Sequence, residues 1–158
     1  MEKTYIIEIL FSCKKYYLLW NDDCFAENDG KALIFYDMET LMKFVHKNSL
    51  LISEDISSYN FDDIDWNIDN ISNTENCREL LDIWNIFSDM AEFMEADFRG
   101  DCEEDSISDM YTELVQGSNI EILENDEFHP VPDNVHKDLL TDVMCDGIRI
   151  FRMLTGEN

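Results

Sequence analysis

Thr4-Tyr-Ile-Ile-Glu-Ile-Leu-Phe-Ser-Cys-Lys-Lys-Tyr-Tyr-Leu-Leu-Trp20 is the stretch on which the fold turns. Its β-branched and aromatic residues read as two strands, 4–12 and 16–20, joined across a Lys14-Lys15 turn. Downstream, Asn28-Asp29-Gly30 is a turn signal closing a loop over 21–30, and 31–36 reads as a third strand. Asp37 offers an N-cap for a helix starting at Met38, with Leu41, Met42, Phe44 and Val45 on its apolar side. A short fourth strand is expected over 50–53.

The second half of the chain has a different period. Cys77, Leu80, Trp84, Phe87, Ala91, Met94 and Phe98 recur at spacings of three and four. That stripe predicts a long helix over about 74–98, opened by a Ser72/Glu75 capping box and stopped by Gly100. Ser106 caps a further helix, with Gly117 beyond its end. Ile120–Leu123 reads as a short strand or connector. Asp133, after Pro130 and Pro132, caps a C-terminal helix over about 134–154. Strands first and helices later, without βαβ alternation, predict an α+β fold: an antiparallel sheet from the N-terminal half with several helices packed on it. We read residues 1–158 as a single domain.

One segment, Asp62-Asp-Ile-Asp-Trp-Asn-Ile-Asp69, breaks the pattern. Read with period two, it puts Ile64, Trp66 and Ile68 on one face and Asp63, Asp65, Asn67 and Asp69 on the other. That is a strand with an apolar side anchored to the core and a row of carboxylates facing out.

Charge excludes several functions. The 158 residues hold 36 Asp and Glu against 11 Lys and Arg, a net charge of −25. With 12% aromatic residues the chain folds rather than forming an acidic tail. Phosphate backbones and anionic membranes are bound through clustered Lys and Arg, and no basic run exists here. A magnitude of about 2–8 suffices for solubility, so the excess points to a basic partner. It is also unevenly placed. No Lys or Arg lies between Lys47 and Arg78, or between Arg99 and Lys137. The first interval carries Glu54, Asp55, Asp62, Asp63, Asp65 and Asp69, interleaved with Tyr59, Phe61 and Trp66. Those nine residues are the expected partner-binding surface, and the acidic interval 101–133 is the next candidate.

No catalytic or cofactor-binding signature stands out. Cys13, Cys24, Cys77, Cys102 and Cys145 form no C-x-x-C pair and read as free thiols of a cytoplasmic protein. His46, His129 and His136 lack ligand spacing, and glycine-rich phosphate loops are missing. Asp63-x-Asp65-x-Asn67-x-Asp69 partly mimics a calcium loop, but Ile68 and Thr74 stand where that loop needs Gly and Glu. We therefore expect no enzyme, no metal and no cofactor.

The N-terminal strands, the segment Lys31-Ala-Leu-Ile-Phe-Tyr-Asp-Met-Glu-Thr-Leu-Met-Lys-Phe-Val45 and the ending Asp146-Gly-Ile-Arg-Ile-Phe-Arg-Met-Leu154 resemble bacterial immunity proteins. These are the small acidic inhibitors encoded beside polymorphic toxins, contact-dependent growth inhibition toxins included. The resemblance covers about a third of the chain and leaves out the acidic middle. It implies a class: a protein that binds a cognate toxin, often a basic nuclease, and blocks its active site. Two other readings stay open, an acidic DNA-mimic inhibitor of a nucleic-acid enzyme and an enzyme with an unrecognised carboxylate site.

Overall fold

The computed structural model describes residues 2–120 and 127–157. Backbone contacts divide the chain into a sheet unit, residues 1–62 with 154–157, and a helical unit, residues 63–153.

The sheet unit holds β1 (Lys3–Phe11), β2 (Lys14–Asn21), β3 (Cys24–Phe25), β4 (Glu27–Asn28), β5 (Lys31–Ala32) and β6 (Leu51–Asn60), with helix α1 (Met38–Lys47) before β6. Four strands form one sheet in the order β3-β2-β1-β6. β1 and β2 are antiparallel, with Ile6 opposite Leu19 and Ile7 opposite Leu18. On one face Ile6, Tyr17 and Leu19 pack with Phe35, Leu41 and Val45, so α1 covers this side through its i, i+4 pair. On the other face Ile7, Ile9, Tyr16 and Leu18 are buried too. A central strand buried on both faces explains why β1 is apolar at nearly every position. Glu157 belongs to this unit, and the Tyr16 hydroxyl donates to both of its carboxylate oxygens at 2.8 and 2.9 Å.

The α+β class holds, with corrections inside it. β6 runs parallel to β1, so the sheet is mixed rather than antiparallel throughout. The crossover through α1 delivers β6 to the far side of β1 in the same direction. β6 is also much longer than the strand expected over 50–53. Its register slips between Thr4↔Ile52 and Ile6↔Ile56, a bulge at Ser53–Asp55 that a sequence pattern reads as loop. The third strand shrinks to β5 plus an isolated bridge in which Tyr17 and Phe35 exchange backbone hydrogen bonds. The first hairpin turns at Ser12-Cys13, both with positive φ, not at the two lysines.

The helical unit contains α2 (Ile64–Asp69), α3 (Thr74–Met94), α4 (Asp105–Gly117) and most of α5 (Asn134–Thr155). α3 is its centre. Besides the expected Cys77, Leu80, Trp84, Phe87 and Ala91, the helix buries Leu81, Ile83, Ile86 and Met90. Two local details differ from expectation. Asn73, not Ser72, caps α3 by accepting the Glu75 N–H at 2.8 Å. The helix stops at Met94 with Glu95 in the left-handed region, so Phe98 is buried from the connector and not from the helix. α4 starts at Asp105 rather than behind a Ser106 cap. Asp133 does cap α5, accepting the His136 N–H at 2.8 Å. The segment expected as a connector at 120–123 lies mostly outside the described residues. All five cysteines are free, with Cys77 buried.

Candidate functional site

The expected carboxylate row is not a strand. Phe61–Asp63 is a turn of 3-10 helix and Ile64–Asp69 is α2. In a helix, residues two apart point about 200° away from each other, whereas residues four apart share a face. Ile64 and Ile68 are accordingly buried together. Trp66, expected on their side, is 65% exposed instead. Asn67, expected among the outward acids, is buried. Asp63, Asp65 and Asp69 remain exposed. The helix thus presents a large aromatic ring amid carboxylates, the reverse of an anchored row.

The remaining expected residues belong to the sheet unit. Glu54 and Asp55 are exposed at the β6 bulge, at the end of the sheet order. Tyr59 is half-buried and Phe61 is buried, so Phe61 serves the core and offers no contact surface. Asp62 is exposed but already engaged. Its two oxygens accept the N–H groups of Ser12 at 2.7 Å and Cys13 at 3.0 Å. Both of those residues are non-glycines at φ 51 and 60, and the carboxylate clamps their strained turn.

Charge is divided unequally between the two units. Residues 63–153 contain 24 Asp and Glu against 5 Lys and Arg, a net −19; the sheet unit has 12 against 6, a net −6. Several of the helical unit's few cations are moreover spent internally. Arg78 directs its Nε to the Ser118 carbonyl at 2.7 Å, satisfying the end of α4 rather than a carboxylate. Arg149 binds Asp146 through Nε at 2.7 Å and the Asp97 carbonyl through Nη2 at 2.9 Å. Arg99 reaches Glu104 at 3.7 Å.

Residues 100–112, which open the long interval without Lys or Arg after Arg99, supply one wall of a groove of about 490 Å³. Trp84, Asn85 and Ser88 of α3 line one side. Gly100, Asp101, Cys102 and Glu103 of the connector, with Ile107, Ser108, Tyr111 and Thr112 of α4, line the other. Among the described residues no Lys or Arg lines it. The Trp84 and Tyr111 rings meet edge to face at 5.3 Å. Tyr111 donates to Asn85 Oδ1 at 2.9 Å, and Ser88 donates to Asp101 Oδ1. Gly100 is required at this wall, since a Cβ there would lie 2.6 Å from the Phe98 ring and 2.8 Å from Trp84 Nε1. Charge alone singles out the interval 101–133. It does not single out Trp84 or Tyr111, because an apolar helical stripe signals burial and does not distinguish a core position from a groove floor.

The acids of this unit respond to pH in opposite senses. Burial, then the neighbouring Glu92 and Asp101 charges, raise the Asp89 carboxyl above its ordinary value. For Asp146 burial works the same way, but the Arg149 hydrogen bond, the Arg99 N–H and the two guanidinium charges outweigh it and hold the carboxyl low. A raised carboxyl penalises the folded state above its folded pKa, and the penalty lifts as pH falls through that value. A lowered carboxyl stabilises above its unfolded pKa, and that contribution is lost as pH falls through the lower folded value. Relief of Asp89 therefore comes first on acidification, and the loss of the Asp146 contribution follows. Thermal melts should show stability rising as pH falls through the Asp89 value, above the ordinary carboxyl range, and falling again as pH drops through the Asp146 value, below that range. A monotonic fall from pH 7 would contradict this balance.

Among the described residues no helix is long and apolar enough to cross a membrane. Compared with known protein families, with curated proteins and with solved structures, the chain shows no match.

Proposed function

We propose that this chain is an acidic immunity protein that binds a cognate basic toxin of nuclease type and covers its active site or substrate cleft. The observation that carries the reading is the concentration of charge: net −19 within residues 63–153, with Arg78 and Arg149 committed to internal partners. A nuclease cleft attracts phosphate and is therefore positive. A surface of fixed carboxylates complements it and accelerates encounter, to about 10⁸–10⁹ M⁻¹s⁻¹ at low salt. Charge alone yields rate more than affinity, so an anchor is needed as well. Trp66 supplies one. It is 65% exposed, flanked by Asp65, with Asp69 on the same short helix and Asp63 at its N-cap. On this reading the protein is a binder and not an enzyme, needs no cofactor, acts in the cytoplasm and touches no nucleic acid directly. Glu54 and Asp55 are a separate exposed acidic pair within the sheet unit.

The test is to co-express the chain with the product of the gene beside its own and purify through a tag on this chain. A stable complex whose association slows as salt rises, and in which the partner's nuclease activity is suppressed, is the expected result. Trp66→Ala should leave the melting temperature of the free protein unchanged and weaken the complex by about 2 kcal/mol. No complex, or a complex in which the partner keeps full activity, would overturn the proposal. Capture of a host nucleic-acid enzyme in the partner's place would favour the DNA-mimic reading.

A further inference from the structure

We infer that the groove between α3 and the 99–112 segment is a receptor for one arginine residue presented by the basic partner. The inference rests on the reading of this chain as the binder of a basic protein and names a contact within it.

Three properties of the groove select arginine. Its rim carries Asp101 and Glu103, both exposed, and no cation offsets them among the described residues. Asp101 gives one oxygen to Ser88 and keeps acceptor capacity for a second donor. A guanidinium, planar and always charged, matches carboxylates with paired N–H donors and stacks on aromatic rings. Tyr111, half-buried, supplies the aromatic wall along which its three-carbon stem can lie.

The floor adds an independent observation. Trp84 is 2% exposed, and its indole N–H has no hydrogen-bond partner among the described residues. No fully buried side-chain nitrogen or oxygen is left unsatisfied there either. The N–H therefore reaches the groove surface beside Gly100, a donor waiting for an acceptor. A lone cation offers none. An amino-acid residue offers both: a guanidinium for the carboxylate rim and a backbone carbonyl for the indole N–H. Lysine shares the charge but lacks the planar fork, so it is the weaker occupant.

The probe is N-acetyl-arginine amide, titrated into the full-length protein and followed by the indole N–H resonances of Trp20, Trp66 and Trp84, assigned through Trp20→Phe and Trp66→Phe. The expected result is a saturable shift of the Trp84 resonance with a Kd of about 1–10 mM, and a smaller shift with N-acetyl-lysine amide. Asp101→Asn with Glu103→Gln should weaken it at least about tenfold. Asn retains the acceptor for Ser88, and an unchanged amide spectrum verifies the fold. Ser108→Tyr, which fills the groove from an exposed position without altering charge, should abolish the shift. Shifts of Trp66 and Trp84 that grow together without saturating, or a double variant that binds as the parent does, would overturn the inference.

The partner reading fails separately. In a captured complex, maleimide labelling of Cys102 should drop at least about tenfold when read peptide by peptide. A complex that leaves Cys102 labelled at the free rate removes the groove from the interface and leaves the toxin reading intact. Binding of the arginine amide with no captured partner does the reverse.

Discussion

Trp84→Ala should destabilise the protein by about 3–5 kcal/mol, the largest loss expected from truncating a single side chain. Trp84 is the largest of the fully buried side chains, set at the middle of α3 where that helix is buried on most of its circumference. Removing the indole leaves a cavity walled by Tyr111 on one side and by the Gly100 connector on the other. Neither wall can collapse into it easily. Tyr111 is tied to Asn85 by its hydroxyl, and the connector is tied to α5 where the Arg99 N–H donates to Asp146 at 2.8 Å. Against a total stability of order 5–15 kcal/mol the loss is severe. Urea melts should show the midpoint falling with the slope unchanged, and the melting temperature should drop by about 10 °C. A loss under about 1 kcal/mol would mean that α3 is not packed as described. Trp66→Ala is the matched control, an indole of the same size removed from an exposed site.

Gly147→Ala should be strongly destabilising although alanine is the better helix former. In a helix interior the substitution ordinarily gains about 1 kcal/mol. Here a Cβ would fall inside the Phe87 ring, which is fully buried and packs edge to face on Phe98 at 6.1 Å. Because the ring is fully buried, it can yield only by displacing its neighbours or by the separation of α3 from α5. Overpacking of this kind costs about 1–3 kcal/mol or more, and the direct contact with a ring places Gly147→Ala at the upper end. The decisive measurement is a double-mutant cycle with Phe87→Leu. In that background the ring is gone, and Gly147→Ala should be neutral or stabilising, with a coupling of about 2–3 kcal/mol. Additive losses would show that Gly147 is needed for some reason other than the ring.

The same glycine shows how much of the fold was legible in advance. Gly147 sits inside an apolar period that predicts the C-terminal helix correctly, and nothing local marks it as a crossing point. The requirement comes from Phe87, 60 positions earlier in the chain. Similarly, the three-four stripe of α3 located Leu80, Trp84 and Phe87, but Ile83, Ile86 and Met90 are buried as well, because neighbouring helices cover a second side. One-sided amphipathicity is a property of the chain. How many sides become covered is a property of the packing.

The sequence by itself determined what depends on near neighbours and on sums. The first two strands, the caps at Asp37 and Asp133, the Asn-Asp-Gly turn, the two long helices and the net charge all follow from spacings of a few residues or from counting. Tertiary structure decided the rest. Period two and period 3.6 compete over a stretch as short as 62–69, and burying Ile64 with Ile68 selected the helix, turning Trp66 outward. The parallel pairing of β6 past Ser53 draws its hydrogen bonds from β1, about 50 residues away, so its own polar residues gave no strand signal. Asp62 looked like a free charge until the turn at Ser12-Cys13 arrived beside it. The groove is the clearest instance. Gly100, Asp101 and Glu103 are neighbours in the chain, but Trp84 comes from α3 and Tyr111 from α4, and only the packing of α4 against α3 makes them one surface.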